Sequence, residues 1–197
     1  MQYKDMFSLE THDGDETSIS YRIAGDGPPL LLLHGFPQTS MMWHKIAPAL
    51  AERYTVVAAD LRGYGDSGHP TSDAAHAPYS KRAMAADMAG LMRGLGHDSF
   101  MVAGHDRGGR VAHRLARDHG DCVTRIAVLD IAPTAAMYGQ TDMRFATAYY
   151  HWCFLIQPAP FPEQMIGANP EFYLRSKCGH WGRTEGAITD EAFADYL

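Results

Sequence analysis

Apolar and polar positions change their period along this chain. Residues 17–23 (Thr-Ser-Ile-Ser-Tyr-Arg-Ile) alternate as a half-exposed strand does, and Gly25-Asp26-Gly27-Pro28-Pro29 ends them with turn chemistry. Residues 30–33 form a continuous apolar run, the pattern of a strand covered on both faces. Residues 43–53 carry apolar side chains at helical spacing, and 55–59 are a second short buried run. Residues 80–95 form an Ala/Met-rich helix with Met84, Met88, Leu91 and Met92 on its apolar positions. The spacing then predicts a strand over 99–103, a helix over 107–119 and a strand over 123–129. Strand and helix alternate with short connections, which predicts an α/β fold with a mostly parallel sheet and helices on both faces.

After Pro133 the pattern changes. No buried strand run follows, and aromatics and prolines dominate: Tyr149-Tyr150-His151-Trp152, then Pro158, Pro160, Pro162 and Pro170. The chain therefore divides into a core, residues 1–134, and a mostly helical cap, residues 135–197. No internal repeat or low-complexity tract occurs.

Composition narrows the function classes. The 197 residues are 46% hydrophobic and 20% charged, ordinary globular values that exclude disordered and fibrous classes. The net charge is −6 and no Lys/Arg cluster interrupts it, so a nucleic-acid partner is not expected. No apolar run approaches the ~18–20 residues of a membrane span. The first residues, Met1-Gln2-Tyr3-Lys4-Asp5, do not read as a signal peptide. Three widely spaced cysteines, Cys122, Cys153 and Cys178, read as reduced thiols in a cytoplasm.

The chemistry concentrates at Val102-Ala103-Gly104-His105-Asp106-Arg107-Gly108-Gly109, where a strand runs through G-x-Asp-x-G into a helix. Paired glycines permit a turn too tight for a Cβ at either flank, which would hold Asp106 strained and exposed at a helix N-terminus. A helix N-cap is the plainer reading of Asp106, but a cap needs no paired glycines. His34-Gly35-Phe36-Pro37 follows one buried strand, where a backbone N–H could meet developing oxyanion charge. Asp60-Leu61-Arg62-Gly63-Tyr64-Gly65-Asp66-Ser67 follows the next. Its G-x-G-x-x-G (Gly63, Gly65, Gly68) is not a dinucleotide fingerprint, because no helix follows it. His12-Asp13-Gly14-Asp15 reads as a hairpin-like turn rather than a metal site. His105, His113 and His119 read as structural or exposed, and His180 receives no role.

Taken together, these three motifs resemble the α/β-hydrolase superfamily. The string Gly104-His105-Asp106-Arg107-Gly108-Gly109-Arg110, the strand end Leu129-Asp130-Ile131-Ala132-Pro133 and the segment Tyr150-His151-Trp152 look like haloacetate dehalogenases, including those acting on fluoroacetate. The resemblance implies that Asp106 displaces halide from the α-carbon of a small haloacid, forming an ester that water hydrolyses. It implies that Arg107 and Arg110 clamp the substrate carboxylate, a fit guanidinium makes in a bidentate way. The backbone N–H groups of Phe36 and Arg107 would form the oxyanion hole. His151 and Trp152 would bind halide, and Asp130 would orient a catalytic histidine. No cofactor or metal is implied, and a homodimer is.

The residues alone leave other readings open. Arg110 could belong to a solvated stripe with Arg114 and Arg117. His151 and Trp152 could be aromatics of the cap core. Asp130 could be a cap, although a carboxylate ending a buried strand is costly without a task. The resembling family's histidine base, a tyrosine that helps bind halide, the rest of the cap and the last core strands have no counterpart here, so a truncated sheet with an unpaired edge is expected. Two rivals remain: an epoxide hydrolase using the same Asp106, with Tyr149, Tyr150 and Tyr173 protonating the epoxide oxygen, and a non-catalytic hydrolase-like fragment.

Overall fold

The computed structural model describes residues 3–181 and 184–197, with the side chains of His180 and Trp181 outside the described residues. In chain order the elements are α1 (Tyr3–Met6), β1 (Ser8–Asp13), β2 (Ser18–Ala24), β3 (Pro29–Leu33), α2 (Ala47–Ala51), β4 (Thr55–Ala59), α3 (Lys81–Gly94), β5 (Phe100–His105), α4 (Arg107–Asp118) and β6 (Val123–Leu129). The helices α5 (Thr134–Gly139), α6 (Met143–Ala148), α7 (Tyr150–Phe154), α8 (Phe161–Gly167), α9 (Pro170–Trp181) and α10 (Asp190–Tyr196) follow.

The six strands form one sheet in the order β1-β2-β4-β3-β5-β6. The β1–β2 and β2–β4 pairs are antiparallel, and β4–β3, β3–β5 and β5–β6 are parallel. This is the mostly parallel α/β sheet that the alternating pattern predicts. Side chains alternate across a strand, and both faces of the centre are filled. Leu31, Leu33, Val57, Ala59 and Val102 pack with Met84, Met88, Leu91 and Met92 of α3 and Val111 and Leu115 of α4. Leu32, Val56 and Ala58 point to the opposite face and are equally buried, where a 3-10 turn at Ser40–Trp43 and α2 pack against β3 and β4.

Local chemistry explains the boundaries. Ser80 caps α3, its Oγ accepting from the Ala83 N–H at 3.2 Å. The single helix expected over 43–53 is instead a 3-10 turn followed by α2. Pro48, which lacks an N–H, occupies the first turn of α2, where no intrahelical donor is needed. The motif His12-Asp13-Gly14-Asp15 does sit at the turn between β1 and β2, with the Gly14 N–H donating to the Thr17 carbonyl at 3.2 Å.

Two expectations about β6 part company. Its span matches the sequence reading, but it is not a buried strand: it lies at the sheet edge, with Ile126, Val128 and Leu129 exposed. Asp130, which follows it, is exposed too. The cost of burying a carboxylate therefore cannot argue a task for Asp130; its strand has a neighbour on one side only.

The chain divides into two compact units. The first is Met1–Ile131 with Asp190–Tyr196, and the second is Ala132–Thr189 with Leu197. In the first, α10 is fastened to the loop after β3: the Thr39 hydroxyl donates to Asp195, and Gln38 Nε2 donates to the Tyr196 hydroxyl at 3.3 Å. The second unit consists of α5 to α9 and their connections, and ring pairs such as Tyr138–Trp152, Phe145–Tyr149 and Phe154–Phe161 pack within it. Among the described residues no helix is long and apolar enough to cross a membrane.

Candidate active site

The three motifs occupy the C-terminal ends of adjacent parallel strands, the edge where open α/β sheets carry their sites. β5 ends at His105 and α4 begins at Arg107, so one residue, Asp106, turns the chain between them. It does so at φ 49° and ψ −112°, a conformation a side chain rarely adopts. The flanking glycines make this possible. A Cβ at Gly104 would run into the Gly108 carbonyl, and one at Gly108 into the carbonyls of Leu33 and His34. A Cβ at Gly35 would collide with the Asp106 side chain itself, so the loop after β3 can lie directly on the elbow.

That close approach has a chemical consequence. The Phe36 N–H donates to Asp106 Oδ1 at 3.0 Å. The Asp106 carboxylate also stands at the N-terminus of the twelve-residue α4, whose dipole favours negative charge there. The Asp106 side chain makes no capping hydrogen bond to its own helix, which removes the N-cap reading.

The loop carrying Phe36 is fixed by His34, which is fully buried. Its Nε2 accepts the Leu61 N–H at 2.9 Å, and its Nδ1 lies 3.1 Å from the Gly35 carbonyl. A carbonyl only accepts, so the proton sits on Nδ1 and the ring is neutral. Burial lowers the His34 pKa, against the opposing charges of Asp60 and Asp106. The Tyr64 ring meets His34 edge-on at 5.0 Å, and burial raises its phenol pKa.

The D-x-R-G-x-G-x-S segment is a brace rather than a reactive group. Asp60 Oδ1 accepts the Ser40 N–H at 2.6 Å, and the Ser67 hydroxyl donates to the Asp60 carbonyl at 2.7 Å. The buried Arg62 guanidinium is clamped by Asp87 at 2.5 and 2.6 Å, by Glu16 at 2.9 Å and by the Pro78 carbonyl at 2.7 Å. Each of the three guanidinium nitrogens of this buried arginine thus has an acceptor, as a buried charge requires.

The remaining candidates distribute between the two units. Arg107 lies over the Phe36 ring, its Cζ 5.5 Å from the centroid. Arg110, one turn further along α4, is half-buried with its Nε and Nη2 shielded from solvent. Asp130 follows Leu129, whose carbonyl accepts the Asp106 N–H at 3.3 Å, so Asp130 and Asp106 end neighbouring strands; Asp130 has φ 48°. Phe36, Asp106, Arg107, Arg110 and Asp130 all belong to the first unit, and His151 and Trp152 to the second. There, on α7, His151 is buried, and Trp152 packs against Tyr138 at 5.1 Å and Phe145 at 5.8 Å. His105 and His119 are half-buried and His113 is exposed. Among the described residues no three His, Cys, Asp or Glu side chains gather as a metal site requires.

One residue near the elbow was invisible in sequence. Lys81, the first residue of α3, is pushed down to about 8, chiefly by burial and then by the charges of Arg107 and Arg110, with Asp106 opposing. It follows no motif; only the packing of α3 on α4 brings it there.

This architecture is that of the alpha/beta hydrolases, and the chain belongs to them: the model of the alpha/beta hydrolase fold matches residues 28–186. Within the family it is similar to the fluoroacetate dehalogenase of Burkholderia sp, at 53% identity over 90% of this chain and 59% of that protein. It is also similar to the soluble epoxide hydrolase of Corynebacterium sp. (strain C12), at 48% identity over 90% of this chain and 61% of that protein. A solved structure from Nostoc sp PCC 7120, described as a candidate alpha/beta hydrolase, matches with a TM-score of 0.95 at 57% identity, covering 96% of this chain and 65% of that one. The chain spans about three fifths of the length of these curated relatives.

Proposed function

We propose that this chain carries the nucleophile half of a hydrolytic dehalogenase acting on haloacetates. The observation that carries the reading is the Phe36 N–H at 3.0 Å from Asp106 Oδ1. Because that oxygen is already held by a donor, the other carboxylate oxygen is the one left to attack. It displaces halide from the α-carbon of fluoroacetate or chloroacetate, the carbon–halogen bond breaks with its electron pair on the halide, and an ester joins Asp106 to the acid. Water then attacks the carboxyl carbon of Asp106, passing one proton to a base. Negative charge collects on Oδ1, where the Phe36 N–H, with that of Arg107, receives it; the ester C–O bond then breaks, the second water proton ends on the glycolate hydroxyl, and Asp106 returns to its carboxylate.

Arg107 and Arg110 serve the substrate carboxylate, since guanidinium pairs with it in a bidentate way. His151 and Trp152 serve the halide by donating ring N–H bonds, and Asp130 orients a histidine base. No residue of this sequence is assigned as that base, and no cofactor enters the scheme. Similarity to a fluoroacetate dehalogenase supports the reading. Three free cysteines suit a reducing cytoplasm.

Similarity to a soluble epoxide hydrolase supports a second reading, in which Asp106 opens an epoxide. The paired arginines weigh against it, since a neutral epoxide offers no carboxylate to clamp. Incubation with chloroacetate and, separately, with styrene oxide distinguishes the two. Chloride release that disappears in Asp106→Asn supports the dehalogenase. Diol formation from styrene oxide, without chloride from chloroacetate, establishes the second reading instead.

A further inference from the structure

Lys177, on α9, is 4% exposed. An ammonium is strongly hydrated, and lysine is almost never this deeply buried without compensation. Here the compensation includes aromatic faces. Lys177 Nζ lies 3.6 Å from the centroid of Tyr150 and 5.3 Å from that of Tyr173. Tyr173 is four residues earlier on the same helix, so helical geometry places it alongside. Tyr150 comes from α7 and lies over the ammonium with its own outer side exposed. A cation against a tyrosine face is an attraction that strengthens as water is removed.

What Lys177 grips is the residue beside His151. The Tyr150 and His151 rings stand 6.2 Å apart at 85°. α7 has only five residues, too few to be stable by its own hydrogen bonds. Its placement must come from packing, and that packing is two-sided. Trp152 is held by Tyr138 and Phe145, while Phe154 meets Tyr173 at 6.2 Å and Tyr150 meets Lys177. Both α9 contacts fall on the turn that presents His151.

We propose that Lys177 is a positioning residue for the His151–Trp152 pair and supplies the fixed positive charge that makes this pair an anion site for halide. The proposal rests on the reading of that pair as halide-binding, and it adds a residue from another helix to it. The ring N–H groups of an imidazole and an indole offer dipoles to an anion; a buried ammonium against the Tyr150 ring beside them adds a full charge.

The test is chloride binding to the full chain at constant ionic strength, followed by quenching of tryptophan fluorescence, with acetate binding as a control. Lys177→Met should weaken chloride affinity about tenfold, the size of one poorly screened charge interaction, and leave acetate affinity unchanged. Lys177→Arg, which keeps the charge and the aromatic contact, should retain chloride affinity. Chloride binding by Lys177→Met equal to the parent overturns the proposal. Equal loss of chloride and acetate also overturns it, since that is the mark of general unfolding. Absence of chloride binding by the parent overturns it together with the halide reading. Should Trp152→Phe and His151→Ala bind chloride as the parent does while Lys177→Met does not, the halide reading of the pair fails and the positioning role of Lys177 is overturned with it.

Discussion

At the scale of single residues, the molecule stores strain at the elbow where the proposed chemistry lies. Asp106 is held at positive φ by glycines that cannot be replaced without backbone collision, and its reward is a donor on Oδ1. The elbow was legible in sequence because strand, G-x-Asp-x-G and helix are contiguous. Lys81 and Lys177 were not, because their burial comes from helices packing side by side and leaves no local signal. Lys81 also yields a pH prediction. Its folded value is about 8 against an ordinary 10.5, so between those values the unfolded chain binds more protons than the folded one. Stability contributed by this group is therefore reduced below pH about 8, rises with pH through the window, and levels off beyond it. Urea midpoints of the parent and Lys81→Met, compared below pH about 8 and near pH 10.5, should show the variant already stabilised at the lower pH and the parent catching up at the higher. A constant difference across the window would refute the assignment.

At the scale of elements, the sheet was legible wherever a strand is covered on both faces. The continuous apolar runs at β3 and β4 and the helix α3 with its Ser80 cap appear nearly where their patterns place them. Strand β1 was missed for the opposite reason: Ser-Leu-Glu-Thr-His-Asp is exposed at nearly every position and carries no burial pattern. Strand β6 is the unpaired edge that a sheet without its last strands is expected to show, with Ile126 and Val128 uncovered on one face and Leu129 on the other. An exposed apolar edge strand is a template for pairing with other chains. Val128→Lys should therefore reduce self-association, measured by light scattering across a concentration series, without loss of far-ultraviolet circular dichroism. Unchanged scattering would show that this edge does not drive association.

At the scale of the whole molecule, the two units carry separate parts of the proposed chemistry. The first holds the proposed nucleophile, its proposed oxyanion donor and the arginines, and the second holds the proposed halide pair. The sequence change after Pro133 falls close to the boundary between them, because the switch from strand runs to aromatic helices is compositional. The return of α10 to the first unit had no such signal; it depends on side-chain contacts such as Thr39 with Asp195. The family is visible at both levels, since the motifs that resemble α/β-hydrolases are the ones that terminate β3, β4 and β5. A nucleophilic Asp106 must carry the substrate carbon during turnover, and a rapid quench with chloroacetate followed by peptide mass mapping reads that adduct. The expected result is a carboxymethyl ester on the peptide containing Asp106 and none in Asp106→Asn. Chloride release with no modification at Asp106, equal in the parent and Asp106→Asn, would contradict it.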